Sequence, residues 1–178
     1  NINIEINRNS FKLLFFLYLM NSLNKNIVLI APAEDIYKIH FELNEIAKIS
    51  EDNKKIILYP EDDSFVYENI KASKEVDKLR ACAIKQIFEN GKKIFVTDIN
   101  AIVEKIQNRE KVKSYFFKFT NKMIVKQKEI IEILEENGFI RVKRVEEVFE
   151  YAVRGNILDI FAPDLEYPVR IEFFNDEI

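Results

Sequence analysis

The sequence has almost none of the residues from which thiol and metal chemistry is built. Cys82 is the only cysteine and His40 the only histidine among 178 residues. A disulfide framework, a thiolate zinc site and a Cys/His catalytic pair therefore cannot form within the chain. Cys82 lies in an apolar helical pattern that predicts a buried, inert thiol, and His40 lies at the edge of another, which predicts a core or surface role. We expect no metal and no cofactor.

Glycine is equally scarce. Gly91, Gly138 and Gly155 are the only three, and they stand far apart. A phosphate loop needs closely spaced glycines followed by a lysine, because its backbone N–H groups must reach the phosphates. After the first predicted strand the sequence instead reads APAED, where carboxylates would meet the anion. The sequence thus predicts no ATP site and no enzymatic activity here, although a decayed ATPase is compatible with it.

An excess of positive charge and a long hydrophobic run are also missing. The net charge is −3 and the pI is near 5.5, which disfavours nucleic acid as the main partner. The longest early apolar run, LLFFLYLM at residues 13–20, is too short to span a bilayer, and no cleavage site of a signal peptide follows it. We therefore expect no membrane partner and a cytoplasmic location.

Residues 1–109 alternate strand-like and helical patterns. Apolar runs at Lys25–Pro32, Ile56–Tyr59 and Lys93–Thr97 predict strands, the first of them buried. Helices are predicted at 10–20, from Glu34 to Ile46, at Lys74–Asn90 with Gly91 as its cap, and from Asp98 or Asn100 to Ile106. This rhythm predicts an α/β fold, a parallel three-layer, helicase-like domain without a phosphate loop.

Two details of this first domain can be stated as expectations. The helix at Lys74–Asn90 should turn inward a stripe formed by Val76, Leu79, Ala83, Ile84 and Ile87. The acidic loop Glu61–Asp63 could be read as a metal site. Exposure to solvent is the better interpretation, because adjacent loop carboxylates usually face water and no ligand-spaced partner is visible.

The polar segment Gln107–Lys113 marks the predicted boundary of a second domain, residues 110–178. Strands are expected at Tyr115–Phe119 and Phe139–Val145, with a helix at Lys128–Asn137 between them. The pattern predicts a small α+β domain with a mostly antiparallel sheet. Lys118 among aromatic residues raises stacking of single-stranded nucleic acid, but core packing is favoured. The basic segment RVKR at 141–144 favours a solvated face.

The stretch from Glu150 to Ile178 carries two more strand-like runs, ILDIF and VRIEF. Alternation in PVRIEFF places Val169, Ile171 and Phe173 on one face and Arg170, Glu172 and Phe174 on the other. Arginine and aromatic residues together are typical of protein–protein hot spots. Either Phe174 docks a partner, or a neighbouring domain or a continuation of the chain covers it. Gly155 should permit a bulge or tight bend that aims Arg154 sideways.

These residues also carry a family resemblance. FEYAVRGNILDIF followed by YPVRIEFFNDEI resembles the N-terminal module of the bacterial transcription-repair coupling factor and, more distantly, the excision-repair protein UvrB. Weaker similarity runs through IVLIAP, LYPEDDSFVYE and the helix containing Arg80. UvrB would carry a phosphate loop near its start, so the coupling factor matches better. Asn156 departs from the pattern, because the family often has glycine or another small or acidic residue there.

The resemblance implies a UvrB-like module that has lost ATP binding and docks the repair ATPase UvrA, bringing it to DNA where RNA polymerase has stalled. Arg154, Arg170 and Phe174 match the docking positions. RNA polymerase and DNA would be partners only through parts of a much longer ATP-dependent translocase, in which this surface would be masked until activation. The resemblance also implies that the chain is a fragment, truncated within its second domain. The alternative is a fragment of an ATP-dependent helicase or UvrB-like subunit with direct DNA contacts.

Overall fold

The computed structural model of the protein describes residues 25–49, 55–63, 73–106, 108–113 and 116–178, together with Leu14, Phe15, Tyr18 and Ser22. Most of the helix predicted at residues 10–20 lies outside the described residues. The chain divides into two compact units, Asn1–Glu104 and Lys105–Ile178. Among the described residues, no helix is both long and apolar enough to cross a membrane.

The first unit alternates strands and helices. In chain order these are β1 (Ile27–Ile30), α1 (Ala33–Ile49), β2 (Lys55–Tyr59), α2 (Lys74–Phe88), β3 (Lys93–Thr97) and α3 (Ile99–Val103). The strands form one sheet in the order β1–β3–β2, and both pairs are parallel. The prediction of a parallel α/β sheet is confirmed.

The core of the first unit lies between this sheet and α1. Ile94 and Val96 on the central strand β3 are fully buried, and they pack in one cluster with Ile36 and Leu43 of α1. Ile36 and Leu43 are seven residues apart, which is close to two helical turns, so both face the sheet. The helix begins with Glu34 and Asp35 in its first turn, as predicted, and these carboxylates favour the positive end of the helix dipole.

Four predictions for the first unit are wrong. Strand β1 is not buried on both faces: it pairs only with β3, and Val28 and Ile30 are exposed. The predicted stripe of α2 is wrong at one position: Val76 and Ala83 are buried and Leu79 packs against the core, whereas Ile87 in the last turn is exposed. The cap of α2 is Glu89, with Lys93 Nζ donating to the Glu89 carbonyl, while Gly91 (φ +108°) lies beyond it. Helix α3 ends at Val103, three residues earlier than expected.

The described part of the second unit, residues 105–106, 108–113 and 116–178, contains two helices and four strands. They are α4 (Arg109–Lys113), α5 (Gln127–Glu136), β4 (Ile140–Arg141), β5 (Glu150–Arg154), β6 (Ile157–Phe161) and β7 (Val169–Glu172). The sheet order is β4–β5–β6–β7; the two pairs that β6 makes are antiparallel, and β4 pairs with β5 in parallel. The prediction of a mostly antiparallel sheet is confirmed.

Helix α5 closes the core of the second unit. Its buried residues Ile130 and Leu134 pack against Tyr151, Leu158 and other residues of the sheet. The Tyr151 hydroxyl donates a hydrogen bond of 2.5 Å to Glu135 Oε1. Burial, followed by this contact with a carboxylate, raises the pKa of Tyr151 to about 12. The tyrosine therefore holds the helix against the sheet without ionising.

The remaining differences concern where strands begin and end. Residues 116–120 form no strand, although Phe119 packs on the core and stacks on Phe117 with ring centroids 6.2 Å apart. Strand β4 has only two residues instead of seven, and the expected linker at 107–113 contains α4. Strand β5 was missed. Between β4 and β5 the chain leaves the sheet. In this connection the backbone N–H groups of Glu146 and Glu147 donate to the Glu150 carboxylate.

Candidate functional site

The sheet of the second unit has two different faces. Alternation along β5, β6 and β7 turns Tyr151, Leu158 and Ile171 into the core. The residues that alternate with them face the other way. In register across the three strands, Ala152 lies opposite Asp159, and Asp159 lies opposite Arg170. This second face, with Arg154, Asp159, Arg170 and Glu172, is called the open face here.

Arg170 is held on the open face by its cross-strand partner. Its Nε and Nη2 atoms donate to the two carboxylate oxygens of Asp159, at 2.7 and 3.0 Å. Hydrogen bonding to Arg170 lowers the pKa of Asp159 and raises the pKa of Arg170, so both stay charged. The Arg170 side chain nevertheless remains 54% exposed. Its orientation is fixed while much of its guanidinium group is left for another molecule.

Arg154 is oriented by the hairpin between β5 and β6. Gly155 and Asn156 form a two-residue turn, and Gly155 adopts φ +60°, which explains a glycine at the first turn position. The tight bend expected at Gly155 is therefore present. Gln127 at the start of α5 donates to the Gly155 carbonyl at 3.1 Å. Arg154 Nη2 donates to the Lys143 carbonyl at 2.9 Å, which directs the side chain across the open face.

A cavity of about 560 Å³ opens beside these two arginines. Its charged lining consists of Arg144, Arg154, Arg170 and Asp159, and its apolar wall consists of Val145, Pro168 and Val169. The lining itself contains three cations and one carboxylate, and Arg144 also pairs with Glu146 at 3.7 Å. Because guanidinium groups match carboxylates in a bidentate geometry, the cavity suits an acidic side chain flanked by apolar atoms.

The structure brings Arg154 and Arg170 together but does not place Phe174 in the cavity lining. Phe174 comes two residues after β7 and its side chain is 81% exposed. Arg144 also lines the cavity, and its side chain is 81% exposed, as the prediction of a solvated face for RVKR requires. The periodicity of that segment does not distinguish Arg144 from its neighbours. Its position beside the cavity depends on the path of the chain over the sheet.

Polar groups at the carboxyl edge of the first unit's sheet bond mainly to one another. Asp98 is buried and accepts hydrogen bonds from the backbone of Ala101 and Glu61, at 2.9 and 3.0 Å. Asn100 donates to the Glu61 carboxylate at 2.6 Å, so the acidic loop is not simply solvated as expected. Within the described ranges, no group of three His, Cys, Asp or Glu side chains could hold a metal ion.

Arg80 belongs to the same edge. It donates to the Pro60 carbonyl at 2.7 Å, pairs with Glu104, and lies over the Tyr59 ring at 4.7 Å from the ring centre. A guanidinium group in these three contacts fixes the loop after β2 to the end of α3. The contacts point to a structural role for Arg80.

Comparison with known proteins identifies the unit that carries the cavity. The family model of the UvrB interaction domain matches residues 117–178, which include the whole sheet and all three predicted docking residues. Residues 117–178 are thus similar to UvrB interaction domains. The family resemblance seen in the sequence is thereby confirmed.

Curated relatives extend the similarity over most of the chain. The transcription-repair-coupling factors of Bacillus subtilis and Haemophilus influenzae are 28% and 26% identical over 90% and 87% of this chain. The UvrABC system protein B of Photorhabdus laumondii is 27% identical over 67%. The chain spans only 13%, 13% and 18% of the lengths of these three relatives. It therefore corresponds to a limited part of each.

Proposed function

We propose that this chain is a non-catalytic protein-binding module of a transcription-repair coupling factor, which binds UvrA and recruits it to stalled RNA polymerase. One observation carries the proposal. A UvrB interaction domain presents Arg154 and Arg170 together on its open face, at the positions that the resemblance assigns to UvrA docking. In this proposal UvrA is the direct partner, and RNA polymerase and DNA are reached through other parts of the longer protein.

The arrangement of the two arginines supports binding to acidic groups of UvrA. Asp159 holds Arg170 in one orientation, and the Lys143 carbonyl holds Arg154. A side chain that is already ordered loses less entropy on binding. The half-exposed guanidinium of Arg170 retains N–H donors for a partner carboxylate. Arg144 would be a third cation for the same carboxylates.

Phe174 supplies the apolar part of the proposed docking surface. Its ring is 81% exposed, and it lies on the side of the extended chain that carries Arg170 and Glu172. Phe174 follows Arg170 by four residues, or about 13 Å of extended chain. An aromatic ring at this distance from two oriented arginines has the composition of a protein–protein hot spot.

The connection after β1 supports the proposal that the first unit is a helicase-like domain without an ATP site. Strand β1 ends at Ile30 and α1 begins at Ala33, so only Ala31 and Pro32 connect them. This link is shorter than a phosphate loop, which needs several backbone N–H groups around the phosphates. Glu34 and Asp35 in the first turn would also repel an anion.

The proposal is tested by titrating the chain with purified UvrA and following complex formation by fluorescence anisotropy. We expect the double variant Arg170→Glu, Phe174→Ala to weaken binding by about 2 kcal/mol or more, because it removes a charged contact and an aromatic anchor. Asp159→Ala should weaken binding less, since Arg170 keeps its charge and loses only its orientation.

A matched control comes from the first unit. Lys38→Glu combined with Phe41→Ala also reverses one cation and truncates one exposed phenylalanine, both on α1. This control should bind UvrA like the unchanged chain. Unchanged binding by a folded Arg170→Glu, Phe174→Ala variant would overturn the docking assignment. Titration with a fluorescent ATP analogue tests the second part, and saturable binding would contradict the absence of an ATP site.

A further inference from the structure

Two isolated β-bridges join Phe174, Glu177 and Ile124, and the three short segments that carry these residues are called the ribbon here. Phe174 and Glu177 exchange two backbone hydrogen bonds, of 2.8 and 3.1 Å, around a two-residue turn. On its other side Glu177 forms an antiparallel bridge with Ile124. That bridge is flanked by hydrogen bonds from Val125 to Asp176 (2.8 Å) and from Ile178 to Met123 (3.0 Å). Ile124, Glu177 and Phe174 therefore stand side by side.

The other side of the ribbon is fastened to the core. Phe173 is buried, and Val125 and Ile178 pack against the same core cluster as Tyr151 and Leu158. Since neighbouring residues on an extended chain point to opposite sides, Ile124, Glu177 and Phe174 are turned outward. Ile124 is 81% exposed, as much as Phe174. The ribbon thus presents two large apolar side chains to solvent on a backbone that is held in place.

The spacing of the three residues follows from their pairing. Ile124 and Glu177 form a non-hydrogen-bonded pair, whereas Glu177 and Phe174 form a hydrogen-bonded pair. These pairs have Cα separations of about 4.5 and 5.5 Å, so Ile124 and Phe174 lie about 10 Å apart with a carboxylate between them. A single surface of a partner protein can therefore contact the side chains of both Ile124 and Phe174.

We propose that Ile124 is a further docking residue for UvrA, and that Ile124 and Phe174 together form a two-residue apolar anchor on either side of Glu177. The proposal rests on the function proposed above. The proposal predicts three features of the UvrA surface. Carboxylates face Arg154 and Arg170, an apolar pocket holds the side chains of Ile124 and Phe174, and a basic or N–H group contacts Glu177. No feature of the sequence pattern singled out Ile124, which is distant from Phe174 along the chain.

Two observations support UvrA as the occupant. The outward side of the ribbon continues the open face of β7, because Arg170, Glu172 and Phe174 alternate with the buried residues Ile171 and Phe173. The apolar anchor thus lies on the same side of the chain as Arg170, which lines the arginine cavity. The arginine cavity and the Glu177 carboxylate also carry opposite charges, so the combined surface specifies the orientation of its partner.

The test compares Ile124→Ala, Ile124→Asp and Arg170→Glu in a UvrA titration at low and high salt. We expect Ile124→Ala to weaken binding roughly tenfold and Ile124→Asp to weaken it more, because both remove apolar contact at the interface. For Ile124→Ala, the salt dependence of UvrA binding should equal that of the unchanged chain. Arg170→Glu should reduce it, since only charge pairs are screened by salt. The melting temperature should not change for Ile124→Ala, whose side chain is exposed.

Ile87→Ala is the matched control, because Ile87 is also an exposed isoleucine but lies on α2 of the first unit. It should bind UvrA normally. If Arg170→Glu weakens binding while Ile124→Ala and Ile124→Asp do not, the two-residue anchor is wrong and the docking function stands. If the unchanged chain does not bind UvrA, the docking function and the anchor both fail.

Discussion

Arginines differ in their contacts and exposure between the two units of this chain. In the first unit, Arg80 is bonded to a carbonyl, a carboxylate and an aromatic ring, and its side chain is only 15% exposed. In the second unit, Arg170 is held by Asp159 alone, and more than half of its side chain remains accessible. A charged group that is satisfied within its own unit stabilises the fold, whereas one that is oriented but exposed is available to a partner.

The same contrast separates the polar edges of the two sheets. Asp98, Glu61 and Asn100 bond to each other or to nearby backbone, so they offer little to a ligand. On the open face of the second unit, Arg144, Arg154 and Arg170 line a cavity that contains a single carboxylate. Charge at the end of a parallel sheet therefore does not by itself make a binding site, because the charged groups can be bonded within their own unit.

The largest expected effect concerns Arg80. Arg80→Ala should lower the free energy of unfolding by about 2 kcal/mol, because it removes the donor to the Pro60 carbonyl and the cation paired with Glu104 Oε2. Arg170→Ala should lower it by less than about 1 kcal/mol, since the Asp159 pair is partly exposed. Urea denaturation followed by circular dichroism measures both values.

Arg80→Lys is the control, because lysine keeps the charge but cannot form a planar fork or stack as well on Tyr59. It should fall between the unchanged chain and Arg80→Ala. Equal destabilisation by Arg80→Ala and Arg170→Ala would remove the distinction between a structural arginine and a docking arginine.

The two units are also expected to lose stability over different ranges of pH. Burial lowers the pKa of His40 in the first unit, and the hydrogen bond to Arg170 lowers the pKa of Asp159 in the second. Because both values are lower in the folded chain, both groups contribute stability that is lost as the pH falls. For His40 this loss begins below about pH 6.5, and for Asp159 below about pH 4, near the values of the unfolded chain.

Thermal unfolding at about pH 7.5, 5 and 3 measures these contributions. We expect His40→Gln to reduce the drop in melting temperature between the first two conditions, and Asp159→Asn to reduce the drop between the last two. A change of the first drop by Asp159→Asn would mean that the carboxylate of Asp159 is not held in its charged form by Arg170.

The smallest effect concerns backbone conformation. Among the described residues, the only positive φ angles outside glycine are at Lys122, Phe149 and Asn175, all in the second unit. Phe149 (φ +64°) also makes an edge contact with Phe139 at 5.5 Å. The left-handed conformation costs a non-glycine residue about 1 kcal/mol, so Phe149→Gly should be more stable than Phe149→Ala by about that amount.

Glu146, which has no positive φ angle, is the matched control position. There the alanine variant should be the more stable one, as is usual. The same order at both positions would show that Phe149 is not strained.

Much of the fold could be predicted because its core residues are periodic. Ile94 and Val96 in β3, and Ile130 and Leu134 in α5, follow the strand and helix periods on which the predictions relied. The failures occur where tertiary pairing decides. Strand β1 is apolar throughout but lies at a sheet edge, and residues 116–120 have strand-forming side chains but no strand to pair with.

The candidate site was predictable only in part. Alternation placed Arg170, Glu172 and Phe174 on one face of their strand, and the family resemblance selected Arg154, Arg170 and Phe174 as docking positions. The cavity depends on contacts between segments, such as the hydrogen bond from Arg154 of β5 to the Lys143 carbonyl beside Arg144. Ile124 is joined to Glu177 by a bridge that spans 53 residues of chain. No local pattern contains this information.

The ion pair between Asp159 and Arg170 also favours the correct register of β7 against β6 during folding. The two residues face each other in the correct register, and a slip of β7 by one residue would turn Arg170 toward the core beside Leu158. Burying a guanidinium there, with its carboxylate left on the opposite face, is strongly unfavourable. A shifted register of β7 is therefore disfavoured relative to the native one. In the native register Arg170, a proposed docking residue, already lies on the open face.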